Sequence, residues 1–249
     1  MNKIRGIIFD KDGTLLDFNS IWLPAAEFLA EYIATAYGNR KLKKQFLESI
    51  GVKENEIETD GILASGTVGD MASAFYEVLS INNVAVSLPK LEETISHRLS
   101  KFVEDNEVSI VATGKLTELF SKLKSNNIII GLVTSDNMVS TVHCLKNLQI
   151  MQYFDFIRTG DVENSAKPNP TVLHQFYKQY GLEPEEVAVV GDTLVDMKFG
   201  KNGKAGVTIG VLSGVGTEAE LSGMADFVYE NVNEILNNSE LFMGNGSLE

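Results

Sequence analysis

Two carboxylates follow the first apolar run of the chain, two residues apart. The run ends at Phe9, and Asp10 and Asp12 come next, with Gly13 directly behind them. Side chains at i and i+2 of an extended segment point to the same side, so the two acids repel each other unless a cation lies between them. Mg²⁺ takes oxygen ligands and is held by one or two carboxylates together with substrate phosphate. The pair therefore fits a magnesium site for phosphate chemistry, although an ordinary Asp-Gly turn after a strand accounts for it equally well.

A second pair of acids, Asp192 and Asp196, follows another apolar run that ends at Gly191. A spacing of four residues places both acids on one face of the first turn of a helix. Capping by Asp192 explains one of them, because carboxylates favour helix N-termini. Capping does not explain why two strands bring acid pairs to the same edge of a sheet. Four converging acids need a counter-charge.

Two hydroxyls and a lysine supply the groups that a phosphate would need beside these acids. Thr134 and Ser135 follow an apolar run at a predicted helix start, where hydroxyl and backbone N–H groups bind phosphate. Lys167 precedes another helix, and Pro168 and Pro170 stiffen its approach. Taken singly, helix capping and a surface lysine are the simpler interpretations. The order of all these groups after successive strands favours a single phosphate site at one edge of the sheet.

The elements that must position these side chains are short apolar runs alternating with helices. Runs rich in β-branched residues are typical of strands buried on both faces, which occur in parallel sheets. Amphipathic helical patterns alternate with the runs from about residue 113 onward, which predicts an α/β doubly wound fold with a mainly parallel sheet. The strong runs are 4–9, 128–133, 187–190 and 205–209, and the weaker ones are 154–157 and 226–229.

The segment 17–109 shows helical patterns without a convincing buried strand. Because it enters after the first strand, it must lie over the carboxyl ends of the strands, where open α/β sheets bind ligands. We therefore predict an α-helical cap domain inserted into an α/β core. The predicted core comprises 1–16 and 110–236, and residues 237–249 are expected to form a loose tail.

The motifs resemble those of the haloacid dehalogenase-like (HAD) hydrolase superfamily, most closely its phosphoglycolate phosphatase-like branch. The helical insertion also has the place and size of the family's cap, and the resemblance implies a Rossmann-like sheet. The matching residues are Asp10-Lys11-Asp12-Gly13-Thr14 for the first motif, Thr134 for the second, Lys167 for the third, and Gly191-Asp192 with Asp196 for the fourth.

The resemblance implies a catalytic role for several of these residues. Asp10 would be the nucleophile that forms an aspartyl-phosphate. Asp12 would be the general acid for the leaving oxygen and then the general base for water. Thr134, Ser135 and Lys167 would bind phosphate oxygens together with Asp10.

The cofactor that the resemblance implies is Mg²⁺. Its implied ligands are Asp10, the backbone carbonyl of Asp12, and Asp192, with Asp196 orienting the set. The second carboxylate of the first motif also separates activities within the family. Dehalogenases lack it, because a halide leaving group needs no proton, so Asp12 favours phosphoryl chemistry.

The implied activity is that of a phosphoric monoester hydrolase. Its substrate would be a small phosphorylated metabolite, either phosphoglycolate-like or a sugar phosphate. Two alternatives stay open. One is a phosphosugar mutase of the β-phosphoglucomutase type, and the other is a catalytically silent protein that binds a phosphate ligand on the same scaffold.

The charge balance limits the partners. The chain has 249 residues, with 34 acidic and 21 basic side chains and a formal net charge of −13. This surplus argues against a duplex nucleic-acid partner, which is bound through clustered Lys and Arg, and against an anionic membrane surface. A hydrophobic content of 44% is typical of globular proteins, and the apolar runs are too short to span a bilayer. We expect a cytoplasmic enzyme that is a monomer or a homodimer.

Three features of the predicted cap bear on the substrate. Arg40, Lys43 and Arg98 are cap cations that a second anionic group could meet, and none is favoured over the others. The Gly-rich segment 61–69 is interpreted as a loop between helices, with a specificity loop facing the active site as the alternative. Trp22, where the cap begins, either lines the entrance or packs in a core or hinge.

Overall fold

The computed structural model describes residues 3–54, 56–105, 110–162 and 166–242. Within these ranges the chain forms short strands and helices in alternation, with a run of helices after the first strand. The strands are β1 (Gly6–Phe9), β2 (Val52–Lys53), β3 (Glu56–Ile57), β4 (Ile129–Val133), β5 (Phe156–Arg158), β6 (Val187–Gly191), β7 (Val207–Val211) and β8 (Phe227–Tyr229). The α-helices are α1 (Phe18–Ala36), α2 (Leu42–Ser49), α3 (Ile62–Ser65), α4 (Val68–Ile81), α5 (Leu88–Glu104), α6 (Leu116–Ser125), α7 (Met138–Asn147), α8 (Thr171–Tyr180), α9 (Leu194–Asn202), α10 (Glu218–Ser222) and α11 (Ser239–Phe242).

Six of the strands form one parallel sheet in the order β5-β4-β1-β6-β7-β8. The first strand is central, because Phe9 pairs with Leu132 of β4 on one side and with Val190 of β6 on the other. The residues that follow β1, β4 and β6 therefore emerge side by side at one edge of the sheet. This arrangement confirms the predicted α/β doubly wound fold.

Helices cover both faces of the sheet, which explains why most side chains of its strands are apolar. Ile7 and Phe9 of β1 pack in one buried cluster with Phe120 of α6. The intervening Ile8 packs in a second cluster with Phe176 of α8. Alternate side chains of one strand thus enter two cores, as expected for a parallel sheet between two helical layers. The predicted apolar runs all form strands, with ends that differ by at most two residues.

The helices α1 to α5 build a third core of their own above the carboxyl ends of the strands. The helix α1 buries Ile21, Leu29 and Ile33 in this core, and the rings of Phe46 and Phe75 lie 4.4 Å apart within it. The short antiparallel pair β2–β3 was not predicted from the sequence. Two residues in each strand are too few to show a periodicity of two.

The chain enters and leaves this helical region through two adjacent segments. The backbone N–H of Asp17 donates to the carbonyl of Val111 at 2.8 Å, and that of Thr113 donates to the carbonyl of Leu15 at 3.0 Å. The Thr113 hydroxyl also donates to the carbonyl of Thr14 at 2.6 Å. The two segments that connect the sheet to the helical region are thus hydrogen-bonded to each other directly after the first acid pair. The proposed boundaries of the inserted segment, 17–109, stay a prediction.

The prediction of a loose tail from residue 237 is wrong up to residue 242. Helix α11 covers Ser239–Phe242, and Leu241 is buried among the side chains of one sheet face. Its carbonyl accepts a hydrogen bond from the N–H of Ile4 at 2.9 Å. The apolar Leu241 is thus held by the start of the chain, a distant contact that local composition does not reveal. The rest of the predicted tail, 243–249, lies outside the described residues. Among the described helices, none has the length and apolar character that crossing a membrane requires.

Candidate active site

Three carboxylates meet at the edge of the sheet where β1 and β6 end. One oxygen each of Asp10, Asp192 and Asp196 lies within 4.8 Å of the others, and all three residues are buried. Asp10 follows the central strand directly, and its N–H donates to the carbonyl of Val190 in β6 at 2.9 Å. The pairing of β1 with β6 thus brings acids together that are more than 180 residues apart in the chain.

Asp192 is held in place from two sides. Its Oδ1 accepts from the Thr14 hydroxyl at 3.0 Å, and its Oδ2 accepts from the N–H of Val215 at 3.0 Å. Gly13 makes this close approach possible, because a Cβ at that position would lie 2.3 Å from Asp192 Oδ2. Its backbone φ of +82° is also in the left-handed region that favours glycine. The first motif therefore packs directly on the fourth.

Asp196 combines a capping role with a role in the site. Its Oδ2 accepts from the N–H of Thr193 at 3.1 Å and from the Thr193 hydroxyl at 2.7 Å, which forms a capping box at the start of α9. Its Oδ1 accepts from Lys167 at 2.6 Å. The residue at the N-cap is Thr193, so capping does not account for Asp192.

Lys167 is the counter-charge within the cluster. Its Nζ lies 2.6 Å from Asp10 Oδ1 and 2.6 Å from Asp196 Oδ1, and its side chain is only 6% exposed. Burial alone would lower the pKa of Lys167, but the charges of Asp10 and Asp196 outweigh it and raise the pKa above its usual value. The lysine thus stays an ammonium and is no loose surface group.

One ammonium does not balance three buried carboxylates. Burial raises the pKa of Asp10 to about 7, against the attraction of Lys167 and with repulsion from Asp196 and Asp12. Burial, together with the charges of Asp10 and Asp196, also raises the pKa of Asp192 well above its usual value. Buried oxygen ligands with a deficit of positive charge are the donor set of a hard divalent cation. The residues present therefore fit Mg²⁺.

A second buried ion cluster lies beside the first and was missed in the sequence. Lys11 is fully buried, and its Nζ lies 2.7 Å from the Asp12 carboxylate and 3.0 Å from Asp136 Oδ2. Burial would lower the pKa of Lys11, but Asp12 and Asp136 raise it above its usual value. The Asp12 side chain is thus bound to Lys11 and lies outside the three-carboxylate group, so only its backbone carbonyl is a candidate metal ligand. The sequence feature that could have predicted this cluster is Lys11 itself, a lysine between two acids directly after a strand.

Thr134 and Ser135 lie where β4 ends, beside the acids. Thr134 is buried, and its Oγ1 accepts from the N–H of Asp136 at 3.1 Å. The N-cap of α7 is Asn137, whose Oδ1 accepts from the N–H of Ser140 at 3.0 Å. Simple capping by Ser135 or Asp136 is therefore excluded. Both Thr134 and Ser135 line the cavity described next.

A cavity of about 60 Å³ opens over these groups. Its floor is formed by the residues that follow β1, β4 and β6 and by Lys167, and its roof is formed by the helical insertion. The floor residues are Asp10, Asp12, Thr134, Ser135, Asp136, Lys167, Thr193, Val195 and Asp196, and the roof residues are Phe18, Trp22, Ile62, Leu63, Ala64, Ser65, Gly66, Thr67, Val68, Met71 and Leu99.

The Gly-rich segment 61–69 is more than the plain loop between helices that the sequence indicated. Its residues Ile62–Ser65 form helix α3, and residues 62–68 line the roof of the cavity. The Oγ of Ser135 lies 3.4 Å from the carbonyl of Ser65, which joins roof and floor. The segment thus faces the site, as the alternative interpretation stated. Trp22 lines the same cavity.

The cap cations lie elsewhere. Arg40 and Lys43 each lie 3.7 Å from Glu31 on the outside of the helical region. Arg98 donates to the Tyr32 hydroxyl at 2.7 Å and lies over its ring at 4.1 Å from the centroid. None of these three side chains is among the described residues that line the cavity.

Comparisons with known proteins agree with this geometry. Residues 4–204 match the family model of haloacid dehalogenase-like hydrolases. The chain is 26% identical over 247 residues to a phosphoglycolate phosphatase of Vibrio cholerae, covering 95% of this chain and 97% of that one. It is 26% identical over 202 residues to the pyrophosphatase PpaX of Bacillus cereus, covering 80% of each. A crystal structure from Thermotoga maritima, of a protein whose proposed activity is that of a β-phosphoglucomutase, shares the fold with a TM-score of 0.63 and 22% identity, covering 94% of this chain and 97% of that one.

Proposed function

The chain belongs to the haloacid dehalogenase-like hydrolases, and we propose that it is a Mg²⁺-dependent phosphatase that cleaves a small phosphate monoester through Asp10. One observation carries the proposal. Asp10 lies on the floor of a covered cavity, bound to the ammonium of Lys167 at 2.6 Å, beside Asp192 and Asp196. A carboxylate nucleophile held next to cationic groups is what transfer of a dianionic phosphoryl group requires.

In the first step, an oxygen of Asp10 attacks phosphorus. A bond from Asp10 to phosphorus forms while the bond from phosphorus to the ester oxygen breaks, and Asp12 gives a proton to the leaving oxygen. Lys167, Thr134 and Ser135 line the same cavity and bind the phosphoryl oxygens. Their work is to position the group and to stabilise charge, which dominates catalysis of phosphoryl transfer.

In the second step, water attacks the aspartyl-phosphate. Asp12 now accepts the proton of the water, the bond between Asp10 and phosphorus breaks, and inorganic phosphate leaves. Asp10 is thereby restored as a carboxylate. The overall reaction consumes one ester and one water and gives one alcohol and one phosphate.

The metal would be held by the carboxylates of Asp10 and Asp192 and by the backbone carbonyl of Asp12. Asp196 orients the set through Lys167 and the capping box of α9. When bound, Mg²⁺ supplies positive charge that neutralises phosphate oxygens and the acids that surround them.

The helical segment 17–109 serves as a cap in this proposal. Its helices α1, α3, α4 and α5 supply the roof of the cavity, so an aspartyl-phosphate formed on Asp10 is shielded from bulk water. Controlled access of water is an advantage for an intermediate of this kind. The core formed by 1–16 and 110–236 then carries the reacting groups.

Release of inorganic phosphate from a panel of small phosphate monoesters, with Mg²⁺ and with EDTA, tests the proposal. We expect Mg²⁺-dependent release that Asp10→Asn abolishes, whereas Asp105→Asn, at an exposed acid that does not line the cavity, keeps the wild-type rate. Isomerisation of a sugar phosphate without net phosphate release would instead identify a mutase. Binding of phosphate esters by folded protein without turnover would identify a catalytically silent protein.

A further inference from the structure

The walls of the cavity identify the class of ester that fits it. We propose, on the basis of the phosphatase function above, that the substrate is a monoester whose alcohol part is uncharged and largely apolar. A second carboxylate or phosphate on that part makes an ester a poor substrate.

The roof over the reacting groups is mostly hydrocarbon. Phe18 and Trp22 of α1, Leu63 of α3, Met71 of α4 and Leu99 of α5 all line the cavity and are themselves buried. The remaining described roof residues are apolar, glycine or hydroxyl-bearing, and none of them has an ionisable side chain. Contact of an apolar alcohol part with these side chains favours binding, by about 25 cal/mol for each Å² of apolar surface removed from water.

The cations of the chain are all accounted for. All 21 lysines and arginines lie in the described ranges, because the residues outside them include neither type. Among the described residues that line the cavity, Lys167 is the sole cation, and it is already bound to Asp10 and Asp196. Lys11 lies under the floor and is bound to Asp12 and Asp136. In the described part of the chain, no lysine or arginine other than Lys167 lines the cavity to meet a second anionic group.

A groove next to the cavity also disfavours substrates with a second negative charge. Thr67, Val68 and Ser135 line both the cavity and an adjoining groove, whose wall also carries the exposed acids Glu92 and Asp161. An alcohol part that extended into this groove with a negative charge would meet like charges. A buried anion without a partner and a like-charge contact each cost several kcal/mol.

This substrate class differs from those that the names of two relatives describe. Phosphoglycolate and pyrophosphate each carry a second anionic group on the part of the molecule that leaves. For this chain we expect both to be poor substrates. The floor of the site therefore fits the family's chemistry, while the roof selects a different alcohol part.

Pairs of esters that differ in one charge test the inference. We would compare phenyl phosphate with 4-carboxyphenyl phosphate, and 2-hydroxyethyl phosphate with 2-phosphoglycolate, at saturating Mg²⁺. We expect kcat/KM to be at least about tenfold lower for the charged member of each pair, since a tenfold change corresponds to the loss of one modest interaction.

Two lysine variants distinguish the effect of a charge at the roof on substrate preference from the effect of the overall charge of the protein. Ser65→Lys places an ammonium at the roof of the cavity, and Ser80→Lys places the same charge at an exposed position of α4 outside it. We expect Ser65→Lys to shift the preference between the two aryl esters toward the carboxylated one by at least about fivefold in kcat/KM, as a contact between opposite charges adds affinity. Ser80→Lys should leave that preference unchanged.

The failures of the two proposals are distinguishable. If the wild type hydrolyses both members of each pair with equal kcat/KM, or prefers the charged ones, the substrate class is wrong and the phosphatase function stands. If the folded protein with Mg²⁺ hydrolyses no ester of either kind, the phosphatase function is wrong, and the substrate class falls with it.

Discussion

Lys11 binds the carboxylate of Asp12 at 2.7 Å from a fully buried position. The same ammonium lies 3.0 Å from Asp136, which follows a neighbouring strand, and 5.6 Å from the centroid of the Trp22 ring. The proposed general acid and base is thus fixed by a cation of its own motif. This contact links the ends of β1 and β4 beneath the cavity.

Replacement of Lys11 by Met should reduce kcat more than it changes KM. The proton donor would lose its fixed orientation, and misplacement of a reacting group by about 1 Å can slow catalysis by about 100-fold. In the proposed mechanism, substrate binding relies on Lys167, Thr134 and Ser135, none of which contacts Lys11 through a described ion pair. We expect kcat to fall by about 10- to 100-fold and KM to stay within about threefold, as measured by steady-state kinetics.

A double variant separates positioning from folding. Lys11→Met alone leaves Asp136 buried without its cation, which is strongly destabilising, by about 3–5 kcal/mol. Addition of Asp136→Asn removes that charge and keeps an oxygen for the N–H of Asn137. We expect the double variant to recover thermal stability and not kcat. Recovery of both would show that Lys11 contributes stability alone.

Removal of the ammonium of Lys167 should abolish most activity. Lys167→Met leaves Asp10 and Asp196 without their shared partner, so both the proposed nucleophile and the proposed metal ligands lose their orientation. Loss of a preorganised group that stabilises transition-state charge lowers kcat by about 100- to 1,000-fold.

A surface pair of the same residue types serves as the control for Lys167. Lys201 lies 2.9 Å from Asp226, and both side chains are well exposed. Because such pairs contribute about 0–1 kcal/mol, Lys201→Met should change neither stability nor turnover appreciably. Comparable losses of kcat/KM in the two variants would contradict the assigned role of Lys167.

The position of the three acids was predictable because topology and local chemistry agree. Parallel strands end at one edge of a sheet, so motifs that follow buried apolar runs must meet there. That rule alone predicts the proximity of Asp10, Asp192 and Asp196. The cap residue of each helix was not predictable in the same way. Several acids and hydroxyls stand close together at the starts of α7 and α9, so the sequence offers more than one candidate, and Thr193 and Asn137 take the N-caps.

Other features depend on contacts that local sequence patterns do not encode. In the sequence, nothing marks Lys11 as more than a residue between two acids, because its partner Asp136 lies 125 residues away along the chain. The apolar roof likewise combines residues from separate helices, so no single motif predicts it. Leu241 looked like part of a tail, because its partners lie at the other end of the chain.

Thermal stability without metal should fall as the pH rises toward neutrality. The pKa of Asp10 is raised from 3.8 to about 7, so between these values the folded state binds more protons than the unfolded state. The free energy of unfolding therefore decreases with increasing pH across this window. Asp192, whose pKa is raised in the same direction, adds to the effect. Mg²⁺ should relieve the repulsion, so its stabilising effect should be larger at pH 8 than at pH 5.

Thermal unfolding of Asp192→Asn in EDTA and in Mg²⁺ checks this prediction. Without metal at pH 8 we expect the variant to be more stable than the wild type, by about 2–4 °C in Tm for each kcal/mol of repulsion removed. Its Tm should not respond to Mg²⁺. A wild-type protein whose Mg²⁺ effect is equal at pH 5 and pH 8 would contradict the proposed cause.

A methyl group at Gly13 should disable the metal site at small cost to the fold. The Cβ of Gly13→Ala would lie 2.3 Å from Asp192 Oδ2, a carboxylate already fixed by Thr14 and Val215. The carboxylate must therefore move away from Asp10. We expect at least about a tenfold loss of kcat/KM, since misplacement of a catalytic ligand acts directly on the transition state. The rise in Tm on addition of Mg²⁺ should disappear as well.

Gly38 provides a control with the same backbone conformation and no such contact. Its φ is +70°, close to the +82° of Gly13, and a Cβ there would have nothing within 4 Å. Both alanine variants carry the penalty of a left-handed backbone, about 1 kcal/mol, so the difference between them isolates the collision with Asp192. Gly38→Ala should keep full activity and the full Mg²⁺ effect on Tm. If both variants lose the same stability and both still respond to Mg²⁺, then Asp192 tolerates displacement and its contact with the first motif does not position the metal ligands.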